Sequence, residues 1–262
     1  SKLPYFLYMK LIKVIMRTFL NKNISLSKSF EKKFFSFNKQ DTILLFKLFN
    51  KYVKEDSKIA DIGGGKKPIK SLYEETKISN EIVYDGYDIS KQELEIARNQ
   101  YTNIYELDLV QTHNKFTTKY DLILCNNTLE HLNNLTKGIK NLTLMIKNEG
   151  KIYIKMPCKH ALFSKLNLIL PNKFKNKIMH WIFPSKKGDG FPAFYDKATP
   201  IEIINIFKEE GFLLEEYSYI KFSSYFTFLF PLYFVWRIIT LIQNLMIKDY
   251  CESFEMIFYK NQ

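Results

Sequence analysis

Three consecutive glycines, Gly63, Gly64 and Gly65, follow the β-prone run KIADI and precede Lys66, Lys67 and Pro68. Glycine at the end of a strand permits backbone dihedrals closed to other residues and lets a ligand approach the main chain. Asp61 stands just before the turn, Asp88 closes the next apolar run in GYDIS, and Asp108 follows a third in YELDL. Carboxylates suit hydroxyl or amino donors, because both of their oxygens accept. A pyrophosphate is a poor partner here. Pro68 occupies the place of the third glycine in a GxGxxG turn and has no amide to offer. No GK[ST] follows, so a Walker A loop is also absent. The chemistry on offer is close main-chain contact with a ligand other than a pyrophosphate.

The elements that must hold these residues follow a regular alternation. SKIADI, EIVYDGYD, NIYELDL, YDLILCN and GKIYIKMP read as strands, and PIKSLYEETK, SKQELEIARNQY and LEHLNNLTKGIKNLTLMIKN read as helices, the last closed by Gly150. Before them, DTILLFKLFNKYVKED reads as a helix capped by Asp41. Strands alternating with helices give a parallel sheet covered on both faces, an α/β fold. The rhythm breaks near residue 158 and resumes with the helix TPIEIINIFKEEGF, the strand LLEEYSYIKF and a last strand, CESFEMIFYK. In such a sheet, ligands bind beyond the carboxyl ends of the strands, where the glycine turn lies.

The pattern ADxGxGxxP resembles the first motif of class I S-adenosylmethionine-dependent methyltransferases, and its companions follow in order. Asp88, with Ile89 after it, matches the family's ribose-binding acid, and Asp108 with Leu109 matches an acid that faces the adenine amino group. YDLILCNNTLEHL resembles the fourth motif, with Asn126 at the strand end, and EGKIYIKMP resembles the strand after it. The resemblance covers residues 41–157 by motif and 198–260 by architecture. It implies a Rossmann-like, seven-stranded, mostly parallel sheet and S-adenosyl-L-methionine as cofactor. The implied binding residues are Asp61, Gly63, Gly64, Gly65, Asp88, Ile89, Asp108, Leu109 and Asn126. Some relatives place an acid and an EH pair near a metal. Here Asn127 stands where the upstream acid would be, so no metal is expected.

Other uses of the same residues stay open. Asp88 could cap the helix SKQELEIARNQ, a role for which Ser90 competes. Asp108 could be an ordinary loop acid. Glu130 and His131, adjacent on a helix, would point in different directions and organise local structure.

The acceptor should be bound by the segments that interrupt the core pattern. Residues 158–197 form the first, and they hold His160, His180, Trp181, Tyr195 and Asp196. His160 directly follows the fifth strand and is the candidate base, with Tyr195 and Asp196 as further catalytic candidates. The second interruption, 222–247, carries a single charge, Arg237. Pro231 and Arg237 oppose a transmembrane span, leaving a hydrophobic helical excursion that rests on a bilayer, lines an acceptor pocket, or is buried.

The net charge of +12 is unevenly placed. Residues 1–40 hold nine basic side chains and one acid, Glu31, giving +8 of that total. In SKLPYFLYMKLIKVIMRTFLNK, Lys10, Lys13 and Arg17 share one helical face among apolar residues. This is the pattern of a basic helix on a membrane surface, or of one packed on the domain or a second subunit. Residues 21–40 read as a linker or an irregular segment. The arm is thus 1–40 and the methyltransferase domain 41–262, with insertions at 158–197 and 222–247. The expected acceptor is small or lipid-linked, and the resemblance extends by analogy to enzymes of cell-envelope glycans or lipids. Peripheral membrane contact is expected through 1–20 and 222–247. The odd number of widely spaced cysteines, Cys125, Cys158 and Cys251, with no CxxC, points to a reducing, cytoplasmic setting. Nucleic acid is the disfavoured partner, because the charge sits in an amphipathic arm and CNNT stands where an NPPY-like motif would be. A non-catalytic docking protein that keeps the fold is the third possibility.

Overall fold

The apolar runs form seven strands in the computed structural model: β1 (Lys58–Ile62), β2 (Val83–Asp88), β3 (Ile104–Glu106), β4 (Tyr120–Asn126), β5 (Ile146–Pro157), β6 (Phe212–Ile220) and β7 (Ser253–Lys260). The described residues are 5–35, 43–70, 82–111, 119–171, 192–222, 226–247 and 250–260. The helices are α1 (Tyr5–Phe34), α2 (Ile43–Tyr52), α3 (Lys91–Ile96), α4 (Leu135–Met145), α5 (Leu162–Ile169), α6 (Pro200–Glu209) and α7 (Phe230–Met246). The chain divides into two compact units, one of Ser1–Asp41 with Ile220–Cys251, the other of Thr42–Tyr219 with Glu252–Gln262.

In the larger unit the sheet order is β3-β2-β1-β4-β5-β7-β6. Strands β1 to β5 pair in parallel, and β7 runs antiparallel to β5. This is the mostly parallel, Rossmann-like sheet that the sequence implies. The chain departs from β1 toward β2 on one side and β4 on the other, so strand order reverses at the carboxyl end of β1. Side chains alternate across the sheet. On one face Leu45, Leu48 and Phe49 of α2 join Ile59, Tyr84, Leu122 and Ile257 in a buried cluster. On the other, Phe207 of α6 stacks on Phe258 with ring centroids 3.9 Å apart. Each such burial stabilises the fold by roughly 1.5–3 kcal/mol.

The helix that sequence closes at Gly150 ends earlier, at Met145, and β5 begins at Ile146. Its register shifts against β4 between the Tyr120 and Leu122 pairings, and Gly150 sits at that irregularity with Tyr120 O close to where a Cβ would project. Ser90 caps α3 by accepting from Glu93 N, as Thr199 caps α6 by accepting from Glu202 N. Asp41 and most of PIKSLYEETK lie outside the described residues, as do His180 and Trp181.

In the smaller unit, residues 21–34 are helical and not the linker that their polarity suggests. Those polar residues are consumed by packing. Asn23 Oδ1 accepts from Phe230 N and Ser27 Oγ donates to Thr227 O, both at 2.9 Å, while Phe30 meets the rings of Phe230, Tyr233 and Phe234. Among the described residues, no helix is long and apolar enough to cross a membrane.

Candidate functional site

The carboxyl ends of β1, β2, β3 and β4 open into a cleft of about 840 Å³. From β1 come Ile62, Gly63 and Gly64, from β2 Asp88 and Ile89, from beyond β3 Leu107, Asp108 and Leu109, and from beyond β4 Asn126 to Thr128. Past them, His131, Leu132 and Asn133 complete one side, with Pro192 and Phe194 beside them. That volume lies within the range of roughly 300–1,000 Å³ typical of ligand pockets.

The glycine turn is tightly determined. Gly63 has φ +74° and a Cβ there would collide with the side chain of Thr128. Thr128 Oγ1 donates to Ile62 O at 3.0 Å and so ties the end of β4 to the turn. A Cβ on Gly64 would lie 2.6 Å from the Asp61 carboxylate. Asp61 itself is fully buried beneath the turn, where its Oδ2 accepts from Tyr84 Oη at 2.6 Å and from Ile69 N at 2.9 Å. Pro68 lacks an amide, so the carboxylate takes the first one after it. Burial pushes the Asp61 carboxyl up to about 6, against the pull of the two donors. Its Oδ1 has no hydrogen-bond partner. Tyr101 props the turn from the side by donating to Gly65 O at 3.1 Å, and its ring stacks on Tyr84.

Asp88 is buried to 8% exposure and its Oδ1 accepts from Ser90 N at 2.8 Å. Burial raises its pKa, while the amides of Ser90 and Ile89 lower it. A carboxylate has about four acceptor positions, so capacity remains for donors in the cleft. The cap of α3 belongs to Ser90, which leaves Asp88 to the cleft. Asp108 Oδ1 accepts from Val110 N and its Oδ2 from Gln111 Nε2, a local turn that fixes the carboxylate at the rim.

Of the sequence-derived binding residues, Gly63, Gly64, Asp88, Ile89, Asp108, Leu109 and Asn126 line the cleft. Asp61 and Gly65 do not, and they support the turn instead. The three catalytic candidates are not brought to it. His160 is exposed outside the lining, Tyr195 is buried with Asn167 Nδ2 donating to its hydroxyl, and Asp196 Oδ2 accepts from Leu135 N at the start of α4. Tyr195 and Asp196 are thus occupied in holding the segment after residue 191, the first against α5 and the second against α4.

The residue that sequence reasoning set aside is His131. The EH pair lies on a short 3-10 turn, Leu129–His131, with Glu130 turned inward and His131 on the cleft wall. His131 Nδ1 is 3.0 Å from Pro192 O. A carbonyl only accepts, so Nδ1 carries the proton and, in the neutral ring, Nε2 keeps its lone pair. Burial pushes Glu130 up to about 8, and its Oε2 has no hydrogen-bond partner. At neutral pH Glu130 is therefore mainly protonated, and its 3.9 Å approach to His131 Nε2 is a contact rather than a full ion pair. Glu130 O meanwhile accepts from Phe194 N and Tyr195 N, which fastens the Pro192–Tyr195 segment beside the cleft. Among the described residues, no group of three or more His, Cys, Asp or Glu could hold a metal ion.

A glycine turn that excludes any Cβ, a buried acid at the end of β2 and an apolar pair, Leu107 and Leu109, fit an adenosyl group joined to an amino-acid end. The comparisons agree. A family profile described as "Methyltransferase domain" matches residues 34–216. No curated protein matches the chain in sequence. Among solved structures, a SAM-dependent methyltransferase from Methanosarcina mazei is similar with TM-score 0.52 and 13% identity, over 81% of this chain and 96% of that one. The N-methyltransferase NodS from Bradyrhizobium japonicum, in complex with S-adenosyl-L-homocysteine, gives TM-score 0.50 and 13% identity over 84% and 85%. A complex of the Haloferax volcanii Trm112 methyltransferase activator and a methyltransferase gives 0.54 and 11% over 93% and 98%. These structural likenesses establish the fold, and the profile match establishes the family: the chain belongs to the class I S-adenosylmethionine-dependent methyltransferases.

Proposed function

We propose that this chain transfers a methyl group to a small or lipid-linked acceptor, such as a cell-envelope glycan or lipid metabolite, at the cytoplasmic face of a membrane that it contacts through 1–20 and 222–247. The observation that carries the transferase reading is the alignment of recognition groups along the strand ends. In sheet order, the rim beyond β3 offers Asp108 and Leu109 to a base, β2 offers Asp88 to a ribose diol, and β1 offers the Gly63–Gly64 backbone to an amino-acid end. The cleft continues past β4 to Asn126, Asn127, His131 and Phe194, where an acceptor would lie.

When bound, S-adenosyl-L-methionine supplies an activated sulfonium methyl, so the protein's task is positioning and, for a hydroxyl acceptor, removal of a proton. Asp61 and Tyr84 hold the turn in place. Thr128 locks the turn to β4, so the cofactor side and the acceptor side move as one. His131 Nε2 is the candidate base, oriented by the Pro192 carbonyl at Nδ1. His160, Tyr195 and Asp196 take no part in this scheme.

Binding of S-adenosylhomocysteine, measured by calorimetry, tests the cofactor reading. Asp88→Ala should weaken it about tenfold or more, the loss expected when a buried polar group of the ligand is left unpaired. An absence of binding by the unaltered chain would end the proposal. For the base, release of S-adenosylhomocysteine is followed with hydroxylated acceptors. His131→Ala should lower kcat by about 10²–10⁴, with cofactor affinity unchanged. An unchanged kcat would remove His131 from the scheme.

A further inference from the structure

We propose that the unit formed by Ser1–Asp41 and Ile220–Cys251 is an interfacial docking element, laying apolar side chains of α1 and α7 into an anionic lipid surface. The inference deepens the peripheral-attachment reading above and rests on it, while standing apart from the cofactor assignment.

Helix α7 presents an outer stripe without a charge. Val235, Ile238, Ile242 and Leu245 recur at helical spacing, flanked by Ile239 and Met246, and all are exposed, Leu245 to 86%. The helix has one charged side chain, Arg237, and it is turned inward and buried. Scattered exposed apolar residues are ordinary on a protein surface, but an uninterrupted stripe along a 17-residue helix is a contact surface.

Helix α1 supplies the second half. Its packed side chains, Asn23, Ser27 and Phe30, lie in its later turns. In the earlier turns Leu7, Leu11, Val14, Ile15 and Phe19 are exposed, interleaved with exposed Lys10, Lys13 and Arg17. The one acid of α1, Glu31, is committed to Arg237, with Nη2 to Oε1 at 2.8 Å. The exposed surface of α1 is therefore apolar and cationic, with no carboxylate to balance it.

Charge decides the occupant. A second copy would bring one arm of +8 against another, and repulsion would oppose that contact. A lipid surface with anionic headgroups accepts both components together: apolar side chains enter the acyl boundary, and long Lys and Arg stems reach back to the headgroups. Neither helix is long and apolar enough to cross a bilayer, so the element lies in the plane of the interface.

Vesicle flotation of the full chain tests this, with phosphatidylcholine alone against phosphatidylcholine containing about a quarter phosphatidylglycerol. We expect flotation with the anionic vesicles, about tenfold or more weaker with neutral ones, and a decline as salt rises. Ile242→Glu with Leu245→Glu should abolish it, and Lys10→Glu with Lys13→Glu and Arg17→Glu should remove its dependence on lipid charge. All five positions are exposed. Unchanged melting and S-adenosylhomocysteine binding in these variants show that the fold persists. Equal binding to both vesicles, no flotation, or flotation untouched by the glutamates would overturn the proposal. So would a dimer in light scattering that Ile242→Glu with Leu245→Glu dissolves, since that assigns the stripe to a second copy. Because cofactor binding is read on the same preparation, failure of docking and failure of the transferase reading are told apart.

Discussion

Tyr84 Oη donates to Asp61 Oδ2 at 2.6 Å, fastening the second strand to the carboxylate beneath the glycine turn. The bond matters most when Asp61 is ionised, and burial has moved that ionisation up to about 6. Tyr84→Phe removes one of the two donors to Oδ2 and strips Lys70 N of its acceptor. We expect a loss of about 1–3 kcal/mol in denaturant titrations at pH 8, and a smaller loss at pH 5, where the carboxyl is mostly protonated. Equal losses at both values would mean that the hydroxyl does not stabilise the charge.

Two glycines with similar backbone strain should behave differently. Gly63 at φ +74° faces Thr128, whereas Gly211 at φ +81° has open space, with nothing within 4 Å of where a Cβ would stand. Gly211→Ala should therefore cost only the strain of a left-handed alanine, about 1–2 kcal/mol, with S-adenosylhomocysteine binding unchanged. Gly63→Ala adds a collision between the turn and β4, and should weaken that binding about tenfold or more by calorimetry. Equivalent affinities for the two variants would separate the Gly63 turn from the ligand.

Glu130 gives the fold a pH dependence of known sign. Unfolded, the group titrates near 4.5, and in the native chain burial takes it to about 8. Between those values the native state binds more protons than the unfolded state, so stability falls as pH rises through that window. The slope approaches about 1.4 kcal/mol per pH unit where the two states differ by a full proton. Glu130→Gln should keep the low-pH stability and flatten this decline, as read from denaturation midpoints between pH 5 and 8. A decline that persists unaltered would place its origin in another group.

Much of this architecture is legible in local pattern. Each of the seven strands overlaps a run whose β-prone residues mark it, although β5 starts at Ile146, inside the stretch that reads as helix, and Gly63, Asp88 and Asp108 could be placed at the cleft because a strand end followed by glycine or acid is a local signal. What sequence missed depends on contacts between distant segments. Asn23 and Ser27 read as linker residues because their partners, Phe230 and Thr227, lie some 200 positions away. Tyr195 and Asp196 attract attention as chemical groups, but Asn167 and the amide of Leu135 have already engaged them. The case of His131 is different. The two side chains do not diverge as adjacency suggests, since Glu130 Oε1 lies 3.9 Å from His131 Nε2, yet Glu130 is buried while His131 stands on the cleft wall. One local signal for Tyr101 was available: Gly86, inside β2, leaves room for its ring, which would lie 2.7 Å from a Cβ.

Arg237 is the internal counterpart of the charge-free stripe on α7. At 1% exposure its Nε donates to Tyr233 Oη and its Nη2 to Glu31 Oε1, both at 2.8 Å. The guanidinium carbon lies 5.3 Å, 5.4 Å and 4.9 Å from the ring centroids of Phe35, Phe222 and Tyr233, while Nη1 has no hydrogen-bond partner. Such a buried pair costs desolvation on both sides, so removing one member is worse than removing both. Glu31→Ala leaves the cation enclosed by rings with its carboxylate gone, and should destabilise the chain by about 3–5 kcal/mol. Glu31→Leu with Arg237→Met replaces the pair by apolar groups in a cage already aromatic, and should fall within about 1 kcal/mol of the unaltered chain. Denaturation midpoints of the single and double variants close the cycle. If the double variant is as unstable as Glu31→Ala, the pair is stabilising in its own right, and Arg237 holds α1 to α7 by attraction rather than by the cost of being left alone.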